Sequence, residues 1–475
     1  MPSSRLERRY FAGDFAAMSN RDRALWALAT VVCTFCLIAP ALWNGFPLLE
    51  WDTGGYLARW YDHTLVINRA VAYGLFLNAG SSLAFWPVLV VQSLRTIWVL
   101  ALMLRAHGLA NRPLLLTGMV VVLSAVTTLP WLTAILLTDI FAGLSVFALY
   151  LLVFRAGTLS RLEQTGLVLL TAFSAASHSA TLAVLAGLVI VAAVVWRIAP
   201  RLMQTARLGN AALSLVLGVV IVFAADYVVA RQIAWTPGGF SIAFGRMLQD
   251  GIVKKYLNAH CPDPELRVFC KYEDQIPENA DEFFWLDPLF GKLGGFEKLS
   301  GEMERIVLGS LADYPWLQVK TAAIATARQL VAVRTGEGVE NTLWHTYGVI
   351  EHRLPDLVPA MRAARQAQKD SISFNEINAL HVPATLAGMA ALPLVAALAL
   401  AGALPAAFAE LAVTAMLALL GNAIVCGVIS NPHDRYGARL AWIGACIALI
   451  ALAYAFVRLR RPRTQPLPAP EPLFY

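Results

Sequence analysis

Residues 208–230 read LGNAALSLVLGVVIVFAADYVVA, an apolar run whose only charged residue is Asp226. An α-helix rises about 1.5 Å per residue, so a run of this length crosses the ~30 Å hydrocarbon core of a bilayer. Inside lipid the segment must be helical, because no water is present to bind an unpaired backbone group. The run therefore predicts a membrane-spanning helix.

Nine further apolar runs have the same character. Apolar residues make up 58% of the chain and charged residues only 14%, well below the usual share of charge in a soluble protein. The sequence therefore predicts an all-α polytopic membrane protein with about ten transmembrane helices. The predicted spans cover residues 24–46, 84–104, 113–129, 137–155, 163–180, 181–196, 208–230, 383–403, 409–429 and 438–457.

Most arginines outside the predicted outer segments fall on alternate connections between these spans. This distribution follows the rule that Lys and Arg accumulate on the cytoplasmic side of a membrane. Both termini are thus predicted to be cytoplasmic, and the net charge of +6 reflects topology and not nucleic-acid binding. The arginines on that side are Arg5, Arg8, Arg9, Arg21, Arg23, Arg105, Arg112, Arg155, Arg161, Arg197, Arg201, Arg207, Arg458, Arg460, Arg461 and Arg463.

The composition changes abruptly after residue 230. The segment that follows carries charges of both signs, and apolar residues with helical spacing in 296–335 predict a mostly helical extracytoplasmic domain. The predicted organisation is 1–230 for spans one to seven with a first outer loop at 47–83, 231–380 for the outer domain, 381–457 for spans eight to ten, and 458–475 for a cytoplasmic tail.

Two of the six cysteines lie in the outer domain. Cys261 and Cys270 flank a short loop, and disulfides form and persist outside the cytoplasm. The sequence favours a disulfide over two free thiols, and a bacterial inner membrane with a periplasmic domain as the location. The four remaining cysteines lie within predicted spans.

The first outer loop places acidic residues just past a span, in the stretch EWDTGGY at residues 50–56. A carboxylate at this boundary can deprotonate an incoming hydroxyl or hold a cation. Asp52 is therefore a candidate catalytic residue. Its alternative role is structural, as the N-cap of a helix that runs to Tyr61.

Asp139 opens the fourth predicted span. An ionisable side chain at the membrane edge is costly and indicates a function by default. Asp139 is the second candidate catalytic residue, and with Asp52 it is a candidate site for a divalent cation. The structural alternative is an ion pair with Arg95 in the second span.

The last outer loop reads SNPHDRYGAR, residues 430–439. Arg435 and Arg439 are four residues apart and share one face of a helix. A guanidinium binds phosphate through paired hydrogen bonds, so both arginines are expected to bind a phosphate headgroup. The alternative is that Asp434 simply neutralises one of them.

Several motifs are absent from the sequence, and the histidines show no metal-ligand spacing. Without a Walker-type loop or a dinucleotide fingerprint, direct use of ATP or nicotinamide is not expected. His178 fits a packed or interfacial position at the outer end of the fifth span. His345 and His352 are candidates to line a sugar or lipid site.

Taken in order, these stretches resemble the polytopic GT-C glycosyltransferases, the group that includes the aminoarabinose transferase of lipid A and the protein O-mannosyltransferases. The first match is Asp52 and Tyr56 followed by RAVAYGLF at residues 69–76. The second is LTDIF at 137–141, and the third is HDRY at 433–436.

The resemblance implies a GT-C-like transferase that takes a sugar from a polyprenyl-phosphate donor. The acceptor would be a glycolipid, a polysaccharide or a protein. Asp52 would be the general base of an inverting reaction, with Arg435 and Arg439 on the donor phosphate and Asp139 orienting the acceptor or a cation. The remaining expected substrate-binding residues are Tyr56, Arg69, Tyr73, His178, His345, His433 and Tyr436.

Two other functions stay open at the level of sequence. A transporter or flippase of lipid-linked saccharides would share the arginines, but it should show internal repeats and broken helices at the midplane. An O-antigen-ligase-like enzyme would rely on His345 or His352 in the late outer loop and would not need Asp52.

Overall fold

The structure is a computed structural model that describes residues 19–65, 69–204, 206–233, 235 and 239–460. These residues form helices and connecting turns without any β-strand, in agreement with the predicted all-α class. The predicted terminal tails, with their arginines at positions below 19 and above 460, lie outside the described residues.

The described helices fall into three consecutive groups. The first comprises α1 Asn20–Asn44, α2 Trp51–Asp62, α3 Val71–Ala79, α4 Trp86–Ala106, α5 Pro113–Val126, α6 Leu129–Ala134, α7 Asp139–Phe154, α8 Arg161–Ser177, α9 Ser179–Ile198 and α10 Gly209–Ala230. The second comprises α11 Ser241–Gln249, α12 Ile252–His260, α13 Arg267–Lys271, α14 Pro288–Lys292, α15 Gly295–Asp313, α16 Pro315–Val331, α17 Trp344–Arg353 and α18 Val358–Ala363. The third comprises α19 Asn375–Leu400, α20 Ala406–Ile424 and α21 Asp434–Leu459.

Two short π-helices accompany them, at Glu282–Leu286 and, continuing α20, at Val425–Ile429. Single 3₁₀ turns lie at Ser81–Leu83, Ala156–Thr158, Pro200–Met203, Glu273–Gln275, Pro355–Leu357 and Arg365–Ala367.

Seven helices of the described chain are long and apolar enough to cross a membrane: α1, α4, α9, α10, α19, α20 with its π-helical end, and α21. Helices also form at the other three predicted positions, but α5, α7 and α8 have only 14, 16 and 17 residues. By length and composition these helices support a multi-pass membrane protein, and among the described residues seven of the ten predicted spans form helices of spanning length.

The short helix α7 lies at the centre of the bundle. Every residue from Asp139 to Val153 is buried, and α4, α8, α20 and α21 pack around it. A helix that is apolar on all sides is typical of a core position. Because other helices cover α7, its length need not match the thickness of the bilayer.

Small residues let the spanning helices approach closely. A Cβ atom on Gly388 of α19 would overlap the backbone of Ala445 in α21, and one on Gly444 would meet the backbone of Gly388. Such small-residue contacts are the usual way in which helices associate inside membranes, where burial of apolar surface supplies little driving force.

The predicted outer domain, residues 231–380, is called the outer segment below, and its described residues contribute to two separate cores. Helices α11 to α15 bury their own cluster, which includes Phe244, Phe269, Phe283, Leu299 and Met303. Residues from 333 to 374 instead pack into the core of the membrane bundle, through Leu343, Tyr347, Ile350 and Met361 among others. The predicted disulfide between Cys261 and Cys270 is present in the first of these parts.

The helical spacing predicted over 296–335 corresponds to α15 and α16. Helix α15 buries Leu299, Met303 and Ile306 in the outer core, as the pattern indicates. Helix α16 instead packs on α20 and its π-helical end, and it leaves Trp316 and Val319 exposed. The second half of the apolar pattern therefore does not face the core of the outer domain.

Candidate functional site

The first outer loop is attached to the start of α7 by backbone pairing. The N–H of Leu48 donates to the carbonyl of Ala134 (3.0 Å), and the N–H of Leu136 donates to the carbonyl of Leu48 (2.9 Å). The amide side chain of Gln366 both donates to and accepts from the backbone of Leu49 (2.7 and 2.9 Å). These contacts set the beginning of α2 beside the beginning of α7.

The break between α6 and α7 is held by a buried glutamine of α4. Gln92 Nε2 donates to the carbonyls of Thr133 (3.0 Å) and Ile135 (3.2 Å), and its Oε1 accepts from the hydroxyl of Tyr73 (3.1 Å). Backbone carbonyls freed by the break are thus satisfied without water. This arrangement keeps Asp139 at the first position of α7.

Glu50, and not Asp52, caps α2. The Glu50 carboxylate accepts from the backbone N–H of Asp52 (2.6 Å), and Thr53 Oγ1 accepts from the N–H of Glu50 (3.1 Å). This is a reciprocal capping box. The structural alternative for Asp52 is therefore wrong, although the helix to which it was assigned is present. The Asp52 carboxylate is left to make contacts outside the helix.

Arg435 lies at the centre of the candidate site, at the start of α21. Its Nε donates to Asp139 Oδ2 (2.8 Å), and its Nη1 donates to Glu50 Oε1 (2.8 Å) and Asp52 Oδ2 (2.9 Å). Arg69 forms a second ion pair with the other oxygen of Asp52. We call these five side chains the acid–arginine cluster; three carboxylates in it face two guanidinium groups.

The expected ion pair between Asp139 and Arg95 is wrong. Arg95 is exposed and its guanidinium lies over the ring of Trp98, 5.7 Å from the centroid, on the outward face of α4. Arg435 takes the place of Arg95 as the partner of Asp139. The sequence places Arg95 near the middle of the second span and Asp139 at the start of the fourth, but it carries no information on which face of α4 turns inward.

The guanidinium of Arg435 lies where the sequence predicts a divalent cation. It lies between Asp52 and Asp139, where a cation shared by those two carboxylates would be placed. Across the residues that the structure describes, no group of three or more His, Cys, Asp or Glu side chains is arranged to hold a metal ion. Arg435 itself supplies positive charge to the carboxylates.

The two carboxylates of the first outer loop have opposite protonation tendencies. Burial raises the pKa of Glu50 to about 8, because the attraction of Arg435 only partly offsets the loss of water. Burial also penalises the charged form of Asp52, but Arg69 and Arg435 outweigh this penalty and lower its pKa to about 2. At neutral pH Asp52 is thus the ionised member of the pair and Glu50 carries the proton.

One oxygen of the acid–arginine cluster is left without a partner. Asp139 is buried, and among the described residues no group donates to its Oδ1 atom. Leaving a buried carboxylate oxygen unsatisfied costs free energy. A buried group of this kind needs an explanation, and a catalytic role is one of them.

Arg439 is placed differently from Arg435. It is fully buried and donates to Asn422 Oδ1 (2.7 and 3.1 Å), while its Nη1 lies 3.1 Å from His178 Nδ1. Its guanidinium is thus engaged inside the bundle, next to the expected residue His178. Asp434 neutralises neither arginine through a contact of its side chain, since it accepts from the backbone N–H of Arg334 (2.9 Å).

His433 links the site to both parts of the outer segment. Its Nδ1 lies 2.8 Å from Glu337 Oε1, and its Nε2 lies 3.6 Å from Asp281 Oδ2. Burial alone would lower the pKa of His433, but the hydrogen bond and charge of Glu337 outweigh burial and raise it. The second oxygen of Glu337 accepts from the backbone N–H of Arg435 (2.6 Å).

The remaining predicted residues lie around this cluster. The rings of Tyr56 and Tyr73 meet edge to face with centroids 5.1 Å apart, behind Asp52. Tyr436 follows Arg435, with the guanidinium 5.9 Å from its ring. His345 of α17 lies against Gly54 of α2, and burial followed by the charge of Arg69 lowers its pKa.

Sequence reasoning does not single out two residues of the site, Glu50 and Glu337. Glu50 lies two positions before Asp52, and its acidic side chain at the same boundary was an available signal. Glu337 stands between Gly336 and Gly338, which both adopt positive φ (98° and 77°). An acidic residue between two glycines, ahead of a predicted span, was the corresponding signal.

Comparison of the chain with models of protein families, with curated protein sequences and with solved structures finds no match. The functional argument therefore rests on the geometry of the site and on its chemistry.

Proposed function

We propose that the protein is a GT-C-like membrane glycosyltransferase that moves a sugar from a polyprenyl-phosphate donor to a hydroxyl of a cell-envelope acceptor. The observation that carries the proposal is the acid–arginine cluster. It joins the starts of α2, α7 and α21 and contains a carboxylate that stays ionised next to a buried guanidinium.

The proposed reaction uses Asp52 as general base. The acceptor oxygen attacks the anomeric carbon while its proton passes to Asp52. The bond between that carbon and the phosphate oxygen breaks, and the phosphate keeps the electron pair. Attack from the side opposite the leaving group inverts the anomeric configuration.

Arg435 is proposed to receive the leaving phosphate. In the absence of substrate its charge is shared among three carboxylates. With Glu50 protonated, the side chain of Arg435 would rotate toward the phosphate and pair with the negative charge that develops there. Asp139 would keep its hydrogen bond with Arg435 Nε during this step. Arg69 keeps Asp52 ionised, and Arg439 supports the start of α21 from within.

The proposal includes a membrane topology. Ten helices cross a bacterial inner membrane, α5, α7 and α8 among them, with both termini in the cytoplasm. The acid–arginine cluster and the outer segment then face the periplasm, where polyprenyl-linked sugars and not nucleotide sugars are the donors. The Cys261–Cys270 disulfide agrees with an oxidising compartment.

The first experiment measures the release of free polyprenyl phosphate by the purified protein reconstituted in native lipid extract. Wild type should release it, and Asp52→Asn should reduce release at least about a thousandfold while the protein stays folded. Glu410→Gln, at the opposite end of the bundle, is the matched control and should keep the wild-type rate.

Two other results would redirect the assignment. Release that survives Asp52→Asn but not His345→Ala would favour the ligase-like enzyme that depends on the late outer segment. Counterflow of a labelled lipid-linked saccharide without any covalent change would instead identify a transporter.

A further inference from the structure

A cleft of about 300 Å³ opens between α2 and α17, outside the acid–arginine cluster. A volume of this size lies at the lower end of the range for small-ligand sites. The side chains that line the cleft are Asp62, Trp344, His345, Val349, His352 and Arg353.

The most unusual member of the lining is Trp344. Its side chain is 69% exposed, although α17 packs firmly on α2 and contributes buried residues to the core. The rings of Trp51 and His345 meet it edge to face, with centroids 6.3 and 5.8 Å away, and most of the indole surface stays open. An exposed aromatic face suits stacking against the C–H face of a sugar ring.

The polar lining favours a neutral, hydroxyl-rich ligand. Asp62 and Arg353 form an ion pair whose charges cancel, and each is partly exposed. Burial and the charge of Arg69 lower the pKa of His345, which is therefore neutral at pH 7. An acyl chain would cover this ion pair without offering it a hydrogen bond, whereas sugar hydroxyls can bond to it, and a phosphate would find no surplus positive charge.

The cleft lies close to the start of α2, which carries the proposed catalytic base. Thr346 Oγ1 accepts from the backbone N–H of Gly54 (3.0 Å), and a Cβ on Gly54 would lie within 3.0 Å of His345 Nδ1. Only glycine permits this approach of α2 to α17. The charges of both Asp52 and Asp62 act on the imidazole of His345, which lines the cleft.

We propose that this cleft binds a neutral saccharide stacked on Trp344, and that this saccharide is the acceptor whose hydroxyl reaches Asp52. The acceptor role rests on the proposed transferase function, whereas the binding of sugar does not. The inference narrows the acceptor from glycolipid, polysaccharide or protein to a chain that ends in an uncharged sugar.

The test is saturation-transfer NMR on the full chain in lipid nanodiscs, with maltotriose, cellotriose and mannotriose as separate probes and no donor present. Wild type should transfer saturation to at least one trisaccharide. Trp344→Ala should reduce that signal at least about fivefold, and Trp344→Phe should keep most of it because a phenyl ring still stacks. Trp285→Ala removes another exposed indole, remote from the cleft lining, and should change nothing.

The absence of signal from all three probes, or an equal signal from wild type and Trp344→Ala, overturns the saccharide site. A membrane-contacting role for Trp344 is tested with vesicles that contain brominated phosphatidylcholine. Loss of bromine quenching in Trp344→Ala beyond that in Trp285→Ala would assign the indole to lipid and also overturn the proposal.

Failure of the two proposals can be told apart because sugar binding is measured without turnover. Sugar binding without any release of polyprenyl phosphate would keep the saccharide site and overturn its acceptor role with the transferase. Release of polyprenyl phosphate without sugar binding would keep the transferase and overturn the cleft.

Discussion

The two ends of α7 carry buried polar clusters of opposite character. At its N-terminal end, Asp139 belongs to the acid–arginine cluster, in which carboxylates outnumber guanidinium groups and one oxygen has no partner among the described residues. At its C-terminal end, Tyr150 belongs to a closed arrangement with one acid and one arginine.

That second arrangement is complete. The Tyr150 hydroxyl accepts from Arg155 Nε (3.0 Å), donates to the carbonyl of Ala407 (3.0 Å) and lies 3.2 Å from His107 Nε2. Arg155 also forms an ion pair with Glu410 of α20. Charges balance here, and the contacts tie α7 to α4 and α20.

The contrast separates two uses of buried charge. A balanced and fully bonded cluster holds helices in register, and its members are replaceable by other well-packed groups at modest cost. A cluster with more carboxyl groups than guanidinium groups must hold a proton, here on Glu50, to balance its charge, and its retention indicates chemistry that needs such a group. Six substitutions, four in the acid–arginine cluster and two at the other end, test whether the two ends of α7 divide in this way.

The largest effect is expected for Arg435→Gln. Loss of the guanidinium should lower release of polyprenyl phosphate about a thousandfold, since no other cation would meet the leaving group. Arg155→Gln is the matched change at the other end of α7 and should stay within about threefold of wild type per folded molecule. Similar losses in the two variants would contradict the division.

The second largest effect is expected on the pH dependence of stability, through the carboxyl group of Glu50. Its pKa is raised from 4.5 to about 8, so its contribution to stability is complete below pH 4.5 and is lost as pH rises through 8. Glu50→Gln should remove this loss. The variant should be close to wild type at pH 5 and more stable by about 3 kcal/mol at pH 9, as measured by thermal unfolding in detergent.

The contribution of Asp52 runs in the opposite direction and serves as the control. Its lowered pKa places its stabilisation above pH 3.8, and that stabilisation is lost only as pH falls toward 2. Asp52→Asn should therefore keep the fall in stability between pH 5 and pH 9, shifted to somewhat lower pH because the charge of Asp52 helps to raise the pKa of Glu50. A flattened slope in Asp52→Asn and not in Glu50→Gln would reverse the assignment of the proton.

A smaller effect is expected at the structural end. Glu410→Gln and Arg155→Gln should each destabilise the fold by about 2 kcal/mol, less than for a fully buried pair because both side chains are partly exposed. The double variant should cost less than the sum, since the two charges interact directly. Strict additivity, measured as shifts in Tm, would show that the ion pair is not the source.

The smallest effect is expected for Asp139→Asn. Asp139→Asn removes one of the partners of Arg435 and should lower stability by only about 1 kcal/mol, because Asp52 still pairs with the guanidinium, while loss of the strong contact to Arg435 Nε should slow transfer. A small loss of stability together with a large loss of rate is the pattern expected of a functional acid. A large loss of stability would instead place Asp139 with the structural residues of the other end.

Much of the site could be predicted because charged residues next to apolar runs stand out. Asp52, Asp139 and Arg435 were selected from position alone, and the structure brings them together. Glu50 was missed because an acidic residue at a helix start reads equally well as a cap, and here it is one. Its contact with Arg435 arises from a residue 385 positions away.

Two contacts depend on which face of a helix turns inward. Asp139 pairs with Arg435 and not with Arg95 of the second predicted span, because the face that each helix presents depends on packing. Arg439 and Arg435 are four residues apart on one helix, a spacing that predicts a shared face. A small rotation around the axis is enough to turn one toward the carboxylates and the other toward Asn422.

The sequence by itself determined the helical class, the membrane segments, the disulfide and the residues that are too costly to bury without a reason. These follow from local hydropathy, spacing and compartment chemistry, which act over a few residues. Only the tertiary structure decided which carboxylates share Arg435, which arginine is engaged inside the bundle, and that α17 forms a cleft with α2. Those contacts join segments hundreds of residues apart, and their selection depends on the packing of all the helices at once.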